Sequence, residues 1–333
     1  MEWKKGMGAL DFSAVENILL EDQYGDIRPQ SEPYFKATKI ADGVWQVLSD
    51  GDHTYVVEGD DELLVIDSGM GAGNLREFCQ SLCPEKPLYR MLLTHGHGDH
   101  TLNCYQFDVV YMSKDTYPLR ECTMVPGVHA PIDYPVVFIQ DGDIINLKGR
   151  PLEVIGCEEH LKGGLQFLDR KSRILFCGDE LNGNFFDSTI SVEHSYRNLL
   201  RWNALRPYYD ILAAGNDLHD ASYVEKYVKI AEYLLSGHEN EGVAIYKPHT
   251  TDRVASVYEI DGKRVFARRA PKFVGVGFEE KVIEAGFEES LKMNDGNFSF
   301  CFLRKLGPDG IFDREIIMDG AHFCYFLNKI WDK

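Results

Sequence analysis

Apolar positions along this chain fall into two periods. Between residues 36 and 69 they come in short runs separated by turn residues, as strands do. Val44-Trp45-Gln46-Val47-Leu48 is one run and His53-Thr54-Tyr55-Val56-Val57-Glu58 the next, with Gly59-Asp60-Asp61 as turn chemistry behind it. Leu63-Leu64-Val65-Ile66 is apolar throughout, as a strand buried on both faces must be. From Gly71 to Leu82 the spacing becomes helical, with Leu75, Phe78, Cys79 and Leu82 on one side. Tyr89 to Thr94 returns to a strand, helix signals resume after His100, and a short strand leads to Tyr111. Residues 121 to 135 form a proline-rich loop that could border a pocket; its His129 reads as a loop histidine.

The second half repeats the alternation. Asp141-Gly142-Asp143 opens a hairpin-like unit, and Leu152 to Gly156, Leu165 to Asp169, Arg173 to Cys177 and Tyr209 to Ala214 read as strands. Leu181 to Phe186 is an aromatic loop. His194 to Leu205 is a helix carrying Tyr196, Arg197 and Trp202, and Ala221 to Leu235 is a long amphipathic helix. Asp261-Gly262 is a two-residue hairpin signal. Strand-like runs follow at Phe298 to Leu303 and His322 to Leu327, separated by a turn near Pro308-Asp309-Gly310. Residues 1 to 35 are mixed and polar, with a helix candidate from Phe12 to Leu20.

Composition narrows the class. At 333 residues the chain can bury about three quarters of its unfolded surface, in one large domain or two unequal ones. Its formal charge of −18, from 53 acidic and 35 basic side chains, opposes phosphate backbones and argues against nucleic acid as a partner. The start, Met1-Glu2-Trp3-Lys4-Lys5-Gly6, lacks the apolar core of a secretion signal, and no run is as long as a membrane span. Eight scattered cysteines, with Cys79 and Cys83 sharing a helix face, read as reduced thiols. The expectation is a cytoplasmic protein with a small-molecule substrate and no membrane partner.

The chemistry concentrates in Met91-Leu92-Leu93-Thr94-His95-Gly96-His97-Gly98-Asp99-His100. A strand entering a turn with three histidines and an aspartate delivers several donors into one small volume. Imidazole and carboxylate together suit zinc, iron or manganese. Gly96 and Gly98 allow backbone angles that bulkier residues resist. The plain alternative is a histidine-rich surface loop.

His95-Gly96-His97-Gly98-Asp99-His100 resembles the HxHxDH signature of the metallo-β-lactamase-fold superfamily, and the likeness extends over roughly residues 36 to 260. It implies an α/β fold: a four-layer αββα sandwich at residues 36–267, with a 1–35 extension before it and a small β-rich segment, 268–333, appended. That segment reads as a β unit, a lid or a dimer interface, and residues 1–35 as packing on the domain or capping a neighbouring subunit's site. By resemblance, His95, His97 and His160 hold a first metal, Asp99 and His100 a second, and Asp179 bridges them. His160 lies in Glu159-His160-Leu161-Lys162-Gly163, where Leu161 and Lys162 depart from the family's threonine and proline. Asp67 matches a residue that braces the metal loop without being a ligand. His53 reads first as a strand histidine bonded to neighbours and second as a substrate contact.

One departure stands out. The family's Gly-His-Gly after the last strand is replaced by Ala213-Ala214-Gly215-Asn216-Asp217-Leu218-His219. His219 is the expected substitute ligand, with Asn216 or Asp217, or a single-metal site, as alternatives.

The resemblance implies one or two zinc ions, with manganese or iron also accommodated. Two cations lower the pKa of a shared water from about 15.7 towards roughly 7, and Asp99 is the catalytic residue that positions it or shuttles its proton. The leading expectation is a metal-dependent hydrolase acting through a metal-activated hydroxide on a small or medium ester, thioester, lactone or related bond. Two other readings stay open: an iron oxidoreductase or dioxygenase of the same fold, and a binding protein with a degraded second site. The two-iron branch carries glutamate where His97 stands and appends a flavin domain, and no flavodoxin-like segment follows here. Gly-x-Ser-x-Gly, Walker and dinucleotide-binding motifs are all missing from the chain.

Overall fold

The computed structural model describes residues 10–11, 18–21, 27–29, 35–49, 52–69, 73–121, 128–129, 131–244, 250–260, 263–269, 298–303 and 314–332. The apolar run Leu63–Ile66 is buried at every position and sits mid-sheet, which is why it could carry no polar face. Around it the first sheet runs Val136–Phe138, Val109–Met112, Leu88–Leu92, Leu63–Ile66, Asp52–Glu58, Val44–Ser49, Lys36–Ala41. The second sheet runs Ile144–Asn146, Pro151–Cys157, Gly164–Asp169, Ile174–Gly178, Ile211–Ala214, Leu218–Asp220.

Among the described residues, four α-helices flank these strands: α1 (Leu75–Ser81), the single turn α2 (Gly98–Thr101), α3 (Val192–Ala204) and α4 (Tyr223–Tyr233). Leu75 and Cys79 of α1 pack with Val47, Val56, Val65 and Met91 on the outside of the first sheet. Between the sheets, Val57, Leu64 and Leu92 meet Leu152, Phe167 and Phe176, with the Tyr55 and Phe176 rings 5.3 Å apart. Outside the second sheet, Leu199 and Trp202 of α3 and Tyr227 and Ile230 of α4 cover Leu168, Leu175 and Leu212. Helix, sheet, sheet and helices make the αββα sandwich that the resemblance implied. Ser191 caps α3, its hydroxyl accepting from the His194 N–H at 3.0 Å. Trp202 is core packing.

Arg150 staples the sheets. From the turn before Pro151–Cys157 its Nε and Nη2 donate to Asp169 at 2.9 and 2.8 Å, and its Nη1 donates to the Gly43 and Glu58 carbonyls at 3.0 Å each. The two charged side chains are 1% and 0% exposed, so the pair stands only because every polar atom has a partner.

Two expectations need correction. The helix candidate Phe12 to Leu20 overlaps an observed strand, Ile18–Glu21, which pairs parallel with Lys263–Arg269 and antiparallel with Ile27–Pro29. Ile18-Leu19-Leu20 suits either period, and the tertiary pairing decides it; residues 12–17 lie outside the described residues. The aromatic loop at 181–186 contains a strand, Phe185–Asp187, because its partner comes from the far end of the chain. Ala321–Tyr325 pairs parallel with Phe185–Asp187 and antiparallel with Arg314–Met318, which in turn pairs with Val243–Ala244. Phe323 and Tyr325 thereby enter the core of Phe186, Trp202 and Tyr227. Thr250–Ile260 and Lys263–Arg269 pair antiparallel on either side of the expected Asp261-Gly262 turn, while that turn and the one near Pro308 lie outside the described residues.

Candidate metal centre

Strand ends deliver the centre. Leu88–Leu92 runs into the 95–100 turn, Ile174–Gly178 ends at Asp179, and the connection from Pro151–Cys157 to Gly164–Asp169 carries His160. Asp67, just past Leu63–Ile66 at φ 61°, turns its carboxylate back onto the 94–100 segment. It accepts from the Thr94 N–H at 2.8 Å, from Thr94 Oγ1 at 2.7 Å and from His100 Nδ1 at 2.8 Å. Ligand histidines characteristically hand their second ring nitrogen to such a partner, which fixes the ring and aims the other nitrogen. Thr94 Oγ1 lies 3.1 Å from His95 Nδ1 and does the same for that ring.

The remaining nitrogens converge. His97 Nδ1 lies 3.0 Å from His95 Nε2 and 2.9 Å from His160 Nε2. Asp179 Oδ2 stands 3.6 Å from His160 Nε2 and 3.9 Å from His95 Nε2, while its Oδ1 stands 3.5 Å from His100 Nε2. His100 Nε2 is also 3.9 Å from Asp99 Oδ2. Donor atoms of His95, His97, His160 and Asp179 thus fall within 4.8 Å of one another, as do those of Asp99, His100 and Asp179. Zinc–nitrogen bonds of about 2.0–2.1 Å in a tetrahedron put ligand atoms about 3.3 Å apart, so the donor set and its spacing fit a divalent cation at each position.

The surroundings act differently on the donors. Burial, reinforced by neighbouring His100, His97 and His160, holds His95 well below the ordinary histidine range and keeps it neutral. Burial also opposes charge on His100, but Asp67, Asp179 and Asp99 outweigh it and raise that group. Burial disfavours the Asp179 anion too, yet the His100, His160 and His95 rings pull it well below the usual carboxylate range.

The turn after Ile211–Ala214 is different. His219 sits on Leu218–Asp220 opposite Leu212; its Nε2 donates to Asn216 Oδ1 at 3.0 Å and its ring packs where Gly183, at φ +65°, has no side chain. Neither donor group contains it or Asp217, and Asn216 and Asp217 are both exposed. Gly215 instead passes directly beside Asp179 and His100, where a Cβ would collide with both. His53 lines this edge: its N–H and its Nδ1 approach the Gly215 carbonyl at 2.9 and 3.3 Å, and Tyr55 Oη donates to the Ala214 carbonyl at 2.5 Å. Arg197 pairs with Asp332, and Tyr196 packs against the core. Val128–His129 is a two-residue strand beside Leu10–Asp11.

The sequence reading passed over the acids next to the candidate ligands. Glu180, following Asp179, accepts from the His160 N–H at 2.9 Å, and Glu159, preceding His160, accepts from Asn198 Nδ2 at 2.7 Å. Both are buried, and burial raises both above the usual carboxylate range. Their signal was a charged residue flanking each candidate ligand at the end of an apolar strand. A cavity of about 770 Å³ lies beside the His160 loop, bounded by Ser113, Phe138, Asp141, Cys157, Gly163 and Asn198 among others.

A family model described as the metallo-beta-lactamase superfamily matches residues 50–238. The human acyl-coenzyme A thioesterase MBLAC2 is 31% identical over 169 residues, covering 40% of this chain and 60% of the human protein. The hydroxyacylglutathione hydrolase of Francisella tularensis subsp. novicida is 30% identical over 94 residues, covering 28% of this chain and 34% of that one. A solved metallo-beta-lactamase from Pontibacter korlensis aligns over 60% of this chain and 99% of its own, at 19% identity and a TM-score of 0.47. The matched part therefore spans less than two thirds of the length of either curated relative.

Proposed function

This chain belongs to the metallo-β-lactamase superfamily, whose model covers more than half of it, and on that premise we propose that it is a metal-dependent hydrolase of acyl thioesters. The observation that carries this reading is the convergence of donors from three separated segments, residues 95–100, 160 and 179, within 4.8 Å. His95, His97 and His160 would hold a first metal and Asp99 and His100 a second, with Asp179 shared by both donor groups. Zinc is the expected ion, from the nitrogen-rich first position. The second has three protein donors and is the weaker.

A bound divalent cation supplies a Lewis acid and a water of lowered pKa at neutral pH. Asp99 orients the attacking water and takes up its proton. Asp67 and Thr94 each hold one ring nitrogen, of His100 and His95 respectively, so that the other faces the centre. A thiol, with an ordinary pKa near 8.5, leaves as its anion more readily than an alcohol or amine, so the thioester asks least of Asp99. Thioesterase and hydroxyacylglutathione hydrolase names among the relatives support the same bond class. Free cysteines at 79, 83, 104, 157, 177 and 324 fit a reducing compartment such as the cytoplasm, and among the described residues no helix is long and apolar enough to cross a membrane. Assembly through the terminal segments is tested by light scattering of the whole chain.

Elemental analysis together with a panel of acyl-coenzyme A, acylglutathione and oxyester substrates tests the proposal. Zinc with thioester turnover, lost on chelation, is the expected result. Iron with oxygen uptake, or a protein that takes up no metal, overturns it.

A further inference from the structure

Two of the proposed ligands, His160 and Asp179, come from different loops, and nothing covalent sets their separation. A non-ligand side chain spans it. Glu180 follows Asp179 directly, and its Oε2 accepts from the backbone N–H of His160 at 2.9 Å. Its other oxygen is buried beside Cys157 and Gly164, at the base of the same loop. On the far side Glu159 ties the loop outward: its carboxylate accepts from Asn198 of α3 at 2.7 Å, and its carbonyl accepts from the Thr189 N–H at 2.9 Å. Glu180 and Glu159 are 5% and 0% exposed. Burying two carboxyls in neighbouring positions is costly, and an apolar side chain of similar volume would fill the space at less cost. What an apolar residue would not supply is an acceptor aimed at the His160 amide.

We propose that Glu180 is a positioning residue that sets His160 at its distance from Asp179, with Glu159 anchoring the same loop to α3. The proposal rests on the metal-centre reading above. It predicts that the side chain at 180 governs metal affinity through a hydrogen-bond acceptor, not through its charge or its bulk.

The test is a cobalt(II) titration of the metal-free full-length chain, read by the visible absorption of the bound ion, for the wild type, Glu180→Gln, Glu180→Met and His160→Ala. Glu180→Gln keeps an oxygen opposite the His160 N–H and retains wild-type affinity and spectrum. Glu180→Met fills the space without an acceptor. It lowers affinity at least tenfold, the scale at which outer partners of ligands act, and shifts the spectrum towards that of His160→Ala, while the thermal midpoint of the metal-free form holds or rises. A purely structural role would move the midpoint and leave the affinity alone. Wild-type affinity and spectrum in Glu180→Met overturn the positioning role, whereas a wild type that takes up no cobalt overturns the metal centre beneath it. Amide exchange needs no variant: the His160 N–H of the wild type is expected to be protected, and rapid exchange there overturns the proposal.

Discussion

His100, in the helical turn α2, and His219, on the strand Leu218–Asp220, keep different company at their ring nitrogens. His100 Nδ1 is held by Asp67 and its Nε2 faces Asp179 and Asp99, whereas His219 Nε2 is held by Asn216 and the ring leans on Gly183. His219→Ala is therefore expected to leave metal stoichiometry unchanged in elemental analysis, and His100→Ala to remove the second, weaker ion. Unchanged stoichiometry in His100→Ala, or a loss in His219→Ala, would reverse that assignment. Asp67 is the more consequential residue. Asp67→Ala strips the acceptor from Thr94 N, Thr94 Oγ1 and His100 Nδ1, all buried. Orphaned buried donors cost about 1–3 kcal/mol each, so a loss of roughly 3 kcal/mol or more is expected in urea denaturation of the metal-free protein. Metal affinity should fall tenfold or more in the same variant.

At the scale of elements, two long-range attachments carry testable weight. Arg150 reaches from one sheet to carbonyls of the other while pairing with Asp169. Arg150→Ala leaves Asp169 buried without its cation, at a cost of about 3–5 kcal/mol; a urea midpoint within error of wild type would show that the staple contributes nothing. The strand Ala321–Tyr325 is the other attachment. Phe323 packs on Phe186 with ring centroids 5.0 Å apart and is fully buried. Phe323→Ala is expected to cost about 3–5 kcal/mol, whereas a segment merely hung on the domain would tolerate it. The helix period read into Phe12 to Leu20 misled for the same reason that this strand was hard to place. Short apolar runs take their conformation from the strand they meet, and here those partners are more than a hundred residues away.

For the whole molecule, the centre is a place where imidazoles and carboxylates crowd together at the open edge of two sheets. A cation bound there stabilises the native state alone, by about 4 kcal/mol when free metal exceeds its dissociation constant a thousandfold. Chelation should lower the thermal midpoint by roughly 10 °C for a domain of this size, and calorimetry before and after restoring zinc checks it. A midpoint indifferent to chelator would mean that the donors close on themselves without an ion.

Most of the strands and helices and the members of the 95–100 cluster were readable from the chain, because strand and helix periods are local and because histidine, glycine and aspartate within six residues have few other uses, whereas the layering into a sandwich came from the resemblance. His160 and Asp179 could be nominated only by resemblance; that their donor atoms meet His95 and His97 is a matter of which strand ends lie at one edge. The place of His219, the clasp of Glu180 on His160 and the docking of Phe323 were beyond local pattern. Each depends on the direction of a side chain across a gap between segments distant in sequence, and only the packed structure sets that direction.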